Sequence, residues 1–155
     1  MTDQYISQIQ NRVITLLRSY EIETSKSLNL LVEDACSEVS RLVACWILND
    51  YPSVKTSIAK GKNVQNKNEF CHDILLVEDN NQIIIIDPTI WQIFPNKESI
   101  FVDNINSLES ALSLLEKQYL GTWKISETIT LNNYPTTEQE ELKKVIKGIV
   151  QYEEQ

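Results

Sequence analysis

The chain has one histidine, His72, and the residues around it carry the side chains that acid–base chemistry requires. His72 begins an apolar segment that runs to Val77, and a polar turn over 78–81 leads into a second apolar segment that ends at Asp87. Two apolar segments joined by a short turn rich in aspartate and asparagine predict a β-hairpin. A hairpin of this length brings the imidazole close to a carboxylate.

The register of the hairpin decides which residue lies directly opposite His72. With Asp79-Asn80 as the loop, the opposite residue is Asp87, whose carboxylate can accept the Nδ1–H of the imidazole, fix its tautomer and stabilise the imidazolium. With Asn80-Asn81 as the loop, the opposite residue is Thr89. Both dipeptides tolerate the positive φ of a tight hairpin, and we expect the first register. The alternative to a catalytic pair is an ordinary buried hairpin whose histidine is structural.

Cys36 is the candidate nucleophile that such a pair would serve. The segment 35–49 has apolar residues at helical spacing, and Asp34 is a candidate N-cap, so we expect Cys36 in the first turn of a helix. Backbone amides and the helix dipole at that position favour a thiolate, and the same amides can receive the oxyanion of a tetrahedral intermediate. The alternative is a small buried cysteine that packs as a hydrophobic side chain.

The two remaining cysteines, Cys45 and Cys71, are weaker candidates. Cys45 falls in the interior of the predicted helix, where we expect it to be part of the core. Cys71 precedes His72, so in a strand its side chain points to the opposite face. The chain has no C-x-x-C or H-x-x-x-H spacing, and we expect neither a metal site nor a disulfide framework from three cysteines and one histidine.

The composition is that of a globular protein, with 42% hydrophobic and 23% charged residues. A length of 155 residues predicts a single domain over 1–155 with a sizeable core. The formal net charge of −8 argues against a nucleic-acid partner and favours a neutral or basic protein partner. No apolar run is long enough to span a membrane, and no secretory signal is visible. We therefore expect a cytoplasmic protein, although a bacterial effector can also be exported without such a signal.

The remaining pattern predicts an α+β fold in which N-terminal helices pack on a small antiparallel β-sheet. The run Ile83–Ile86 is typical of a strand buried on both faces, so we expect both faces of the sheet to be covered. The lysine- and asparagine-rich segment 53–69 is interpreted as a mobile loop that borders the site, or as a plain surface loop. The other predicted elements are helices over 4–20, 105–119 and 138–152, the last begun by a capping box at Thr137 and Glu140, and a strand over 122–131.

The order of these residues is similar to that of a known group of enzymes. His72 with its apolar strand, followed by Asp87-Pro88-Thr89 and Gln92-Ile93-Phe94, resembles the signature H-x-x-x-x-V … D-P-T-x-x-Q-F of bacterial papain-like and transglutaminase-like cysteine enzymes. That superfamily includes small papain-fold toxins, protein deamidases and related peptidases. The resemblance covers residues 34–94. The chain departs from the signature where an isoleucine separates the glutamine from the phenylalanine, where an aspartate follows the histidine, and in lacking a glycine near the cysteine.

The resemblance implies a papain-like/transglutaminase-like core and a Cys-His-Asp triad that needs no cofactor. Cys36 would be the nucleophile, His72 the general base and then the general acid, and Asp87 the residue that orients the imidazole. The thiolate would attack an amide carbonyl of a protein or peptide substrate and form a thioester. Water as the acceptor gives a thiol peptidase or a glutamine deamidase, which we expect, whereas an amine gives transglutaminase- or N-acetyltransferase-like acyl transfer. The resemblance is also compatible with binding of a protein partner or inhibitor.

Three further residues are candidates for substrate or oxyanion contacts. Asn29 is the nearby side-chain amide that could complete a papain-type oxyanion hole, or else a turn residue. Gln92 could order the loop after Asp87, and Trp91 could line the site or, as we expect, pack in the core. A rival function is a catalytically silent adaptor of the same fold that binds proteins through its acidic surface, and such a module has no need of a reactive Cys36.

Overall fold

A computed structural model describes residues 1–27, 31 and 35–154. This part of the chain is an α+β structure, which confirms the predicted class. Single turns of 3₁₀ helix lie at Val64–Asn66 and Ile90–Gln92. The helices and strands follow one another in the order α1 (Asp3–Thr24), α2 (Cys36–Asp50), β1 (Lys55–Lys62), β2 (His72–Asp79), β3 (Gln82–Asp87), β4 (Phe101–Ile105), α3 (Leu108–Tyr119), β5 (Thr122–Ile129) and α4 (Thr136–Glu154).

Local hydrogen bonds set where the later helices begin. The Ser107 hydroxyl accepts the Ser110 N–H at 3.1 Å and caps the start of α3. The helix α4 begins before the expected residue 138, because the Pro135 carbonyl accepts the Glu138 N–H at 2.8 Å. The predicted capping box at Thr137 is therefore wrong, since that residue already lies inside the helix.

Within the described residues, five strands form one antiparallel sheet in the order β4-β3-β2-β1-β5. The β2–β3 hairpin turns at Asn80-Asn81, and its last pair joins Asp79 to Gln82. Asn80 takes the left-handed conformation, with a φ of 49°, which asparagine tolerates and a tight hairpin turn requires. This is the second of the two registers that the turn residues permit.

The observed register corrects the expected pairing of His72 with Asp87. The pairing of Leu75 with Ile86 sets the histidine and the aspartate diagonally across the two strands rather than directly opposite each other. Diagonal neighbours lie about 7–8 Å apart, which is still within reach of aromatic and long side chains. The two residues therefore remain on one face of the sheet and close enough to interact.

The segment 53–69 is not the loop that its composition predicted. Its first half forms β1, which lies between β2 and β5 and carries the buried residues Ile58 and Ala59 on opposite faces. The prediction was wrong because lysines in this strand and asparagines after it dominate the composition of the segment, whereas its apolar centre is short. The edge strand β4 was also not predicted.

Both faces of the sheet are covered, as the Ile83–Ile86 run predicted. The helices α1, α2 and α4 pack on one face, which carries Leu75 and Ile86. The helix α3 packs on the other face, which carries Ile74 and Ile85. In the described part of the chain, none of the helices combines the length and the apolar character needed to cross a bilayer.

Candidate active site

His72 and Asp87 form a buried hydrogen-bonded pair. His72 is the first residue of β2 and Asp87 is the last of β3, and both side chains are fully buried on the face that α3 covers. Nε2 of His72 lies 2.9 Å from Oδ2 of Asp87. The predicted contact is present, but the expected use of Nδ1 is wrong. A diagonal neighbour is farther away than an opposed one, so the outer ring nitrogen is the one that reaches the carboxylate.

The Asp87 carboxylate receives hydrogen bonds on both of its oxygens. The Thr89 N–H donates to Oδ1 at 3.2 Å, because the chain turns after Pro88 at the end of β3. The Tyr119 hydroxyl donates to Oδ2 at 2.8 Å, the same oxygen that His72 contacts. Burying a carboxylate costs several kcal/mol on an order-of-magnitude scale unless protein donors replace the lost water. These donors therefore allow the charged form of Asp87 to exist inside the protein.

Two aromatic rings enclose the imidazole, and we refer to Tyr119 and Trp123 as the aromatic wall. The Tyr119 ring is stacked on the His72 ring with centroids 5.9 Å apart, and the Trp123 ring meets it edge-on at 6.5 Å. Gly61 of β1 is paired with His72 on one side and with Trp123 on the other. A Cβ at Gly61 would lie 2.5 Å from the indole, so the glycine lets the indole cross β1 and approach the imidazole.

Sequence reasoning missed Tyr119, Trp123 and Gly61. These residues reach His72 only because β1 lies inside the sheet and pairs with both β2 and β5. A glycine inside a strand is a signal that another group approaches the backbone closely. That signal was lost once the segment was interpreted as a loop.

The environment raises the pKa of His72 to about 10. Burial alone lowers this pKa, but the charge of Asp87 and the hydrogen bond to it raise it by more. Cys36 adds a hydrogen bond and a Coulombic attraction in the same upward direction. The imidazole is therefore protonated at neutral pH, which is the state that can pair with a thiolate.

Cys36 is the first residue of α2, and its side chain is half-buried. It lies near enough to the His72 imidazole to contribute to the raised pKa of the ring. The helix α2 packs on the other face of the sheet, and its first turns run beside the start of β2, where the Ser40 hydroxyl donates to the Asp73 carbonyl at 3.3 Å. The structure thus brings together the three residues predicted to form a triad.

The start of α2 offers backbone amides to the same site. Ala35 is the N-cap residue and makes no side-chain capping bond. The Val39 N–H donates to the Ala35 carbonyl at 3.0 Å, so the amides of the first turn, around Cys36, precede the hydrogen-bond ladder of the helix. Such amides are suited to receive an oxyanion. The predicted N-cap Asp34 and the predicted oxyanion amide Asn29 lie outside the described residues.

Gln92 lies at the other edge of the imidazole. Its Oε1 atom is 3.1 Å from Nδ1 of His72, and it belongs to the 3₁₀ turn that follows Asp87. The ring is thus held at both nitrogens, by Asp87 at Nε2 and by Gln92 at Nδ1. Trp91, by contrast, is 2% exposed and packs in the core shared with α1 and α2, so the expectation that it is a core residue is confirmed.

The other two cysteines differ from Cys36 in their surroundings. Cys45 is fully buried, and burial raises the pKa of its thiol to about 11, so this thiol is unreactive in the folded protein. Cys71 is exposed at the start of β2. Among the residues that the structure describes, no group of three or more His, Cys, Asp and Glu side chains is arranged to hold a metal ion.

Comparisons with protein families, with curated proteins and with solved structures found no match to this chain. The chemistry of the site is therefore argued from its own geometry. That geometry consists of a half-buried thiol at a helix start and a buried imidazole that is hydrogen-bonded to a buried carboxylate.

Proposed function

We propose that this chain is a cysteine-dependent hydrolase or acyl transferase that acts on amide bonds, with a papain-like/transglutaminase-like core. The observation that carries the proposal is the convergence of Cys36, His72 and Asp87 from α2, β2 and β3. The imidazole is hydrogen-bonded to the carboxylate, and the thiol lies near enough to raise the pKa of the imidazole. This arrangement is suited to nucleophilic catalysis by a thiol, in which the imidazole activates the thiol and the carboxylate orients the imidazole.

In the first half of the proposed reaction, the Cys36 thiolate attacks the carbonyl carbon of a peptide bond or of a glutamine side-chain amide. Backbone amides in the first turn of α2 receive the resulting oxyanion. The His72 imidazolium then gives its Nδ1 proton to the leaving nitrogen, the C–N bond breaks, and an amine or ammonia departs. A thioester and a neutral imidazole remain.

In the second half, the neutral imidazole takes a proton from water at Nδ1, and the hydroxide attacks the thioester carbonyl. The C–S bond breaks, the acid leaves, and the thiolate–imidazolium pair is restored. Asp87 keeps Nε2 protonated throughout, so that Nδ1 alone exchanges protons. Oε1 of Gln92 lies beside the same Nδ1 atom that contacts the attacking water. If an amine attacks in place of water, the product is that of acyl transfer.

The proposed substrate is a protein or peptide, and the proposed outcome is hydrolysis by a peptidase or a glutamine deamidase. The net charge of −8 favours neutral or basic protein substrates and partners. All three cysteines are free thiols, which suits a reducing compartment such as the cytoplasm, or delivery into one.

The test is the pH dependence of alkylation by iodoacetamide, read at each cysteine by mass spectrometry. We expect Cys36 to react faster than the exposed Cys71 and to keep its rate at a pH of about 6, where a free thiol with a pKa of about 8.5 is mostly protonated. Cys45 is the buried control and should react only after unfolding. The variant His72→Ala should slow Cys36 to the rate of Cys71.

A Cys36 that reacts no faster than Cys71 over the whole pH range would overturn the proposal and favour the silent adaptor. The same preparations then serve an activity assay on unstructured protein and peptide mixtures. New amino termini indicate a peptidase, whereas release of ammonia without new termini indicates a deamidase. The variant Cys36→Ala should abolish either product without changing the midpoint of unfolding.

A further inference from the structure

We propose that Arg41 is a positioning residue that sets Cys36 against His72, with Asp73 as its anchor. The inference rests on the proposed function, in which Cys36 and His72 are the reacting pair. It starts from adjacency in the chain, because Ser37 follows Cys36 in α2 and Asp73 follows His72 in β2. A group that ties Ser37 to Asp73 therefore holds the two catalytic backbones together.

Arg41 makes this tie with one nitrogen of its guanidinium. Nη1 donates to the Ser37 carbonyl at 3.0 Å and also to the Ser37 hydroxyl. The same Nη1 donates to Oδ2 of Asp73 at 3.1 Å. Asp73 points to the face of the sheet opposite to His72, so the tie runs behind the site and leaves the thiol accessible.

The other edge of the guanidinium is fixed to β5. Nε and Nη2 of Arg41 donate to Oε2 of Glu127 at 3.2 and 2.7 Å. The Tyr134 hydroxyl donates to Oε1 of the same glutamate at 2.6 Å, which immobilises the carboxylate. Nζ of Lys60 lies 3.8 Å from Oδ1 of Asp73, so Asp73 has two cationic neighbours, Arg41 and Lys60. The start of α2 is thereby joined to β2 and β5 by one side chain.

Two members of this cluster, Arg41 and Glu127, are held in their ionised forms. The Arg41 side chain is 15% exposed and that of Asp73 is 4% exposed. Burial alone lowers the pKa of Arg41, but hydrogen bonds to Asp73 and Glu127 raise it by more. For Glu127, burial acts to raise the pKa, and the hydrogen bonds from Tyr134 and Arg41 lower it overall. The contact between Arg41 and Glu127 therefore persists over the pH range in which the thiol would react.

The start of α2 has a specific need for such a tie. Its N-cap residue, Ala35, makes no side-chain capping bond, so the usual means of fixing a helix start is missing at this residue. The Arg41 contact with Ser37 supplies a bond to the first turn from inside the helix. A planar guanidinium can contact Ser37, Asp73 and Glu127 at once, whereas a lysine ammonium acts as a single point charge.

The test uses the fact that the chain has a single histidine, so the imidazole of His72 gives one set of ring signals by NMR. The readout is the change in the His72 titration that Cys36→Ala causes, which measures the contact between thiol and imidazole. This change is compared in the wild-type background and in Arg41→Lys, with Asp73→Asn as a second way to break the tie. Lys55→Met, which removes an exposed ion pair with Glu78 at 3.7 Å, is the matched control.

We expect Cys36→Ala to shift the His72 titration in the wild type and in Lys55→Met, and to shift it much less in Arg41→Lys and Asp73→Asn. Alkylation of Cys36 should slow on the order of 10-fold or more in the same two variants, because a displacement of about 1 Å is enough for such a loss. An equal shift in all backgrounds would overturn the positioning role and leave the proposed function standing. If Cys36→Ala does not change the His72 titration in the wild-type background, both the positioning role and the proposed function are overturned.

Discussion

Tyr119 and His72 lie face to face, with ring centroids 5.9 Å apart and ring planes 15° apart, and both contact the same oxygen of Asp87. The tyrosine hydroxyl therefore competes with the imidazolium for the negative charge that stabilises it. Burial and then the charge of Asp87 raise the pKa of Tyr119, so its hydroxyl stays a donor over the working pH range. The pKa of His72 is therefore set by this competition as well as by the carboxylate itself.

The variant Tyr119→Phe keeps the ring and removes the competing donor. We expect the pKa of His72 to rise further, because the imidazolium becomes the only side-chain donor to Oδ2 of Asp87 among the contacts that the structure describes. Loss of a buried hydrogen bond to a charged group should lower the free energy of unfolding by about 1.5–3 kcal/mol. NMR titration of the ring and urea unfolding measure the two effects. Tyr5→Phe, which removes an exposed hydroxyl from Asp50, should leave the His72 titration unchanged.

The variant Asp87→Asn keeps the shape of the side chain and removes its charge. We expect the pKa of His72 to fall, because burial, which lowers it, is then opposed only by Cys36. Catalysis should drop on the order of 10³- to 10⁴-fold, since the imidazole is no longer held in the productive tautomer. Product formation and Cys36 alkylation measure the loss, and Asp103→Asn on β4 is the control. Wild-type turnover in Asp87→Asn would remove this carboxylate from the mechanism.

The stability of the fold should depend on pH through His72. Its pKa is raised from 6.5 to about 10 on folding, so the stabilisation is complete below a pH of about 6.5 and is lost as the pH rises through the folded value. We expect the free energy of unfolding to fall more steeply between pH of about 7 and about 10 than it does in His72→Gln. Urea unfolding in a Cys36→Ala, Cys71→Ser background measures this, because the one remaining thiol, Cys45, contributes equally to both proteins. Parallel curves for the two proteins would contradict the prediction.

The variant Gly61→Ala tests the packing of the aromatic wall. The added Cβ would lie 2.5 Å from the Trp123 ring, so the indole must move away from His72. We expect a loss of about 1–3 kcal/mol in the free energy of unfolding, as is usual for overpacking. Gly148→Ala is the matched control, because a Cβ there meets nothing within 4 Å and should stabilise α4 by about 0.5–1 kcal/mol. Equal stability of Gly61→Ala and the wild type would show that the indole is free to move.

The contact between His72 and Asp87 was predictable because it does not depend on which loop forms. The two candidate turns differ by a shift of two residues in pairing, and a shift of two keeps every side chain on the same face of the sheet. The error in register therefore changed an opposed pair into a diagonal one and changed the ring nitrogen that is used, without separating the residues. The position of Cys36 at a helix start was likewise readable from local spacing.

The rest of the site depends on pairings between distant parts of the chain. Tyr119 and Trp123 reach the imidazole from the end of α3 and the start of β5, and no local pattern indicates that β5 pairs with β1. The positioning role proposed for Arg41 likewise needs Glu127 of β5 as a partner. The sequence alone does not distinguish a helical arginine that forms a buried ion-pair network from a helical arginine that is exposed to solvent.

The sheet order also sets the sequence of events during folding. His72 and Asp87 are 15 residues apart and meet through a tight turn, whereas Thr56 of β1 bonds to Ile129 of β5 across 73 residues. Closing the short loop costs less entropy than closing the long one, so we expect the pair of His72 and Asp87 to form before the aromatic wall is added. We therefore expect a chain that is still emerging from the ribosome to expose its histidine and aspartate to water until β5 has been made. Tyr119 and Trp123 complete the enclosure of the imidazole only when the C-terminal third of the protein is present.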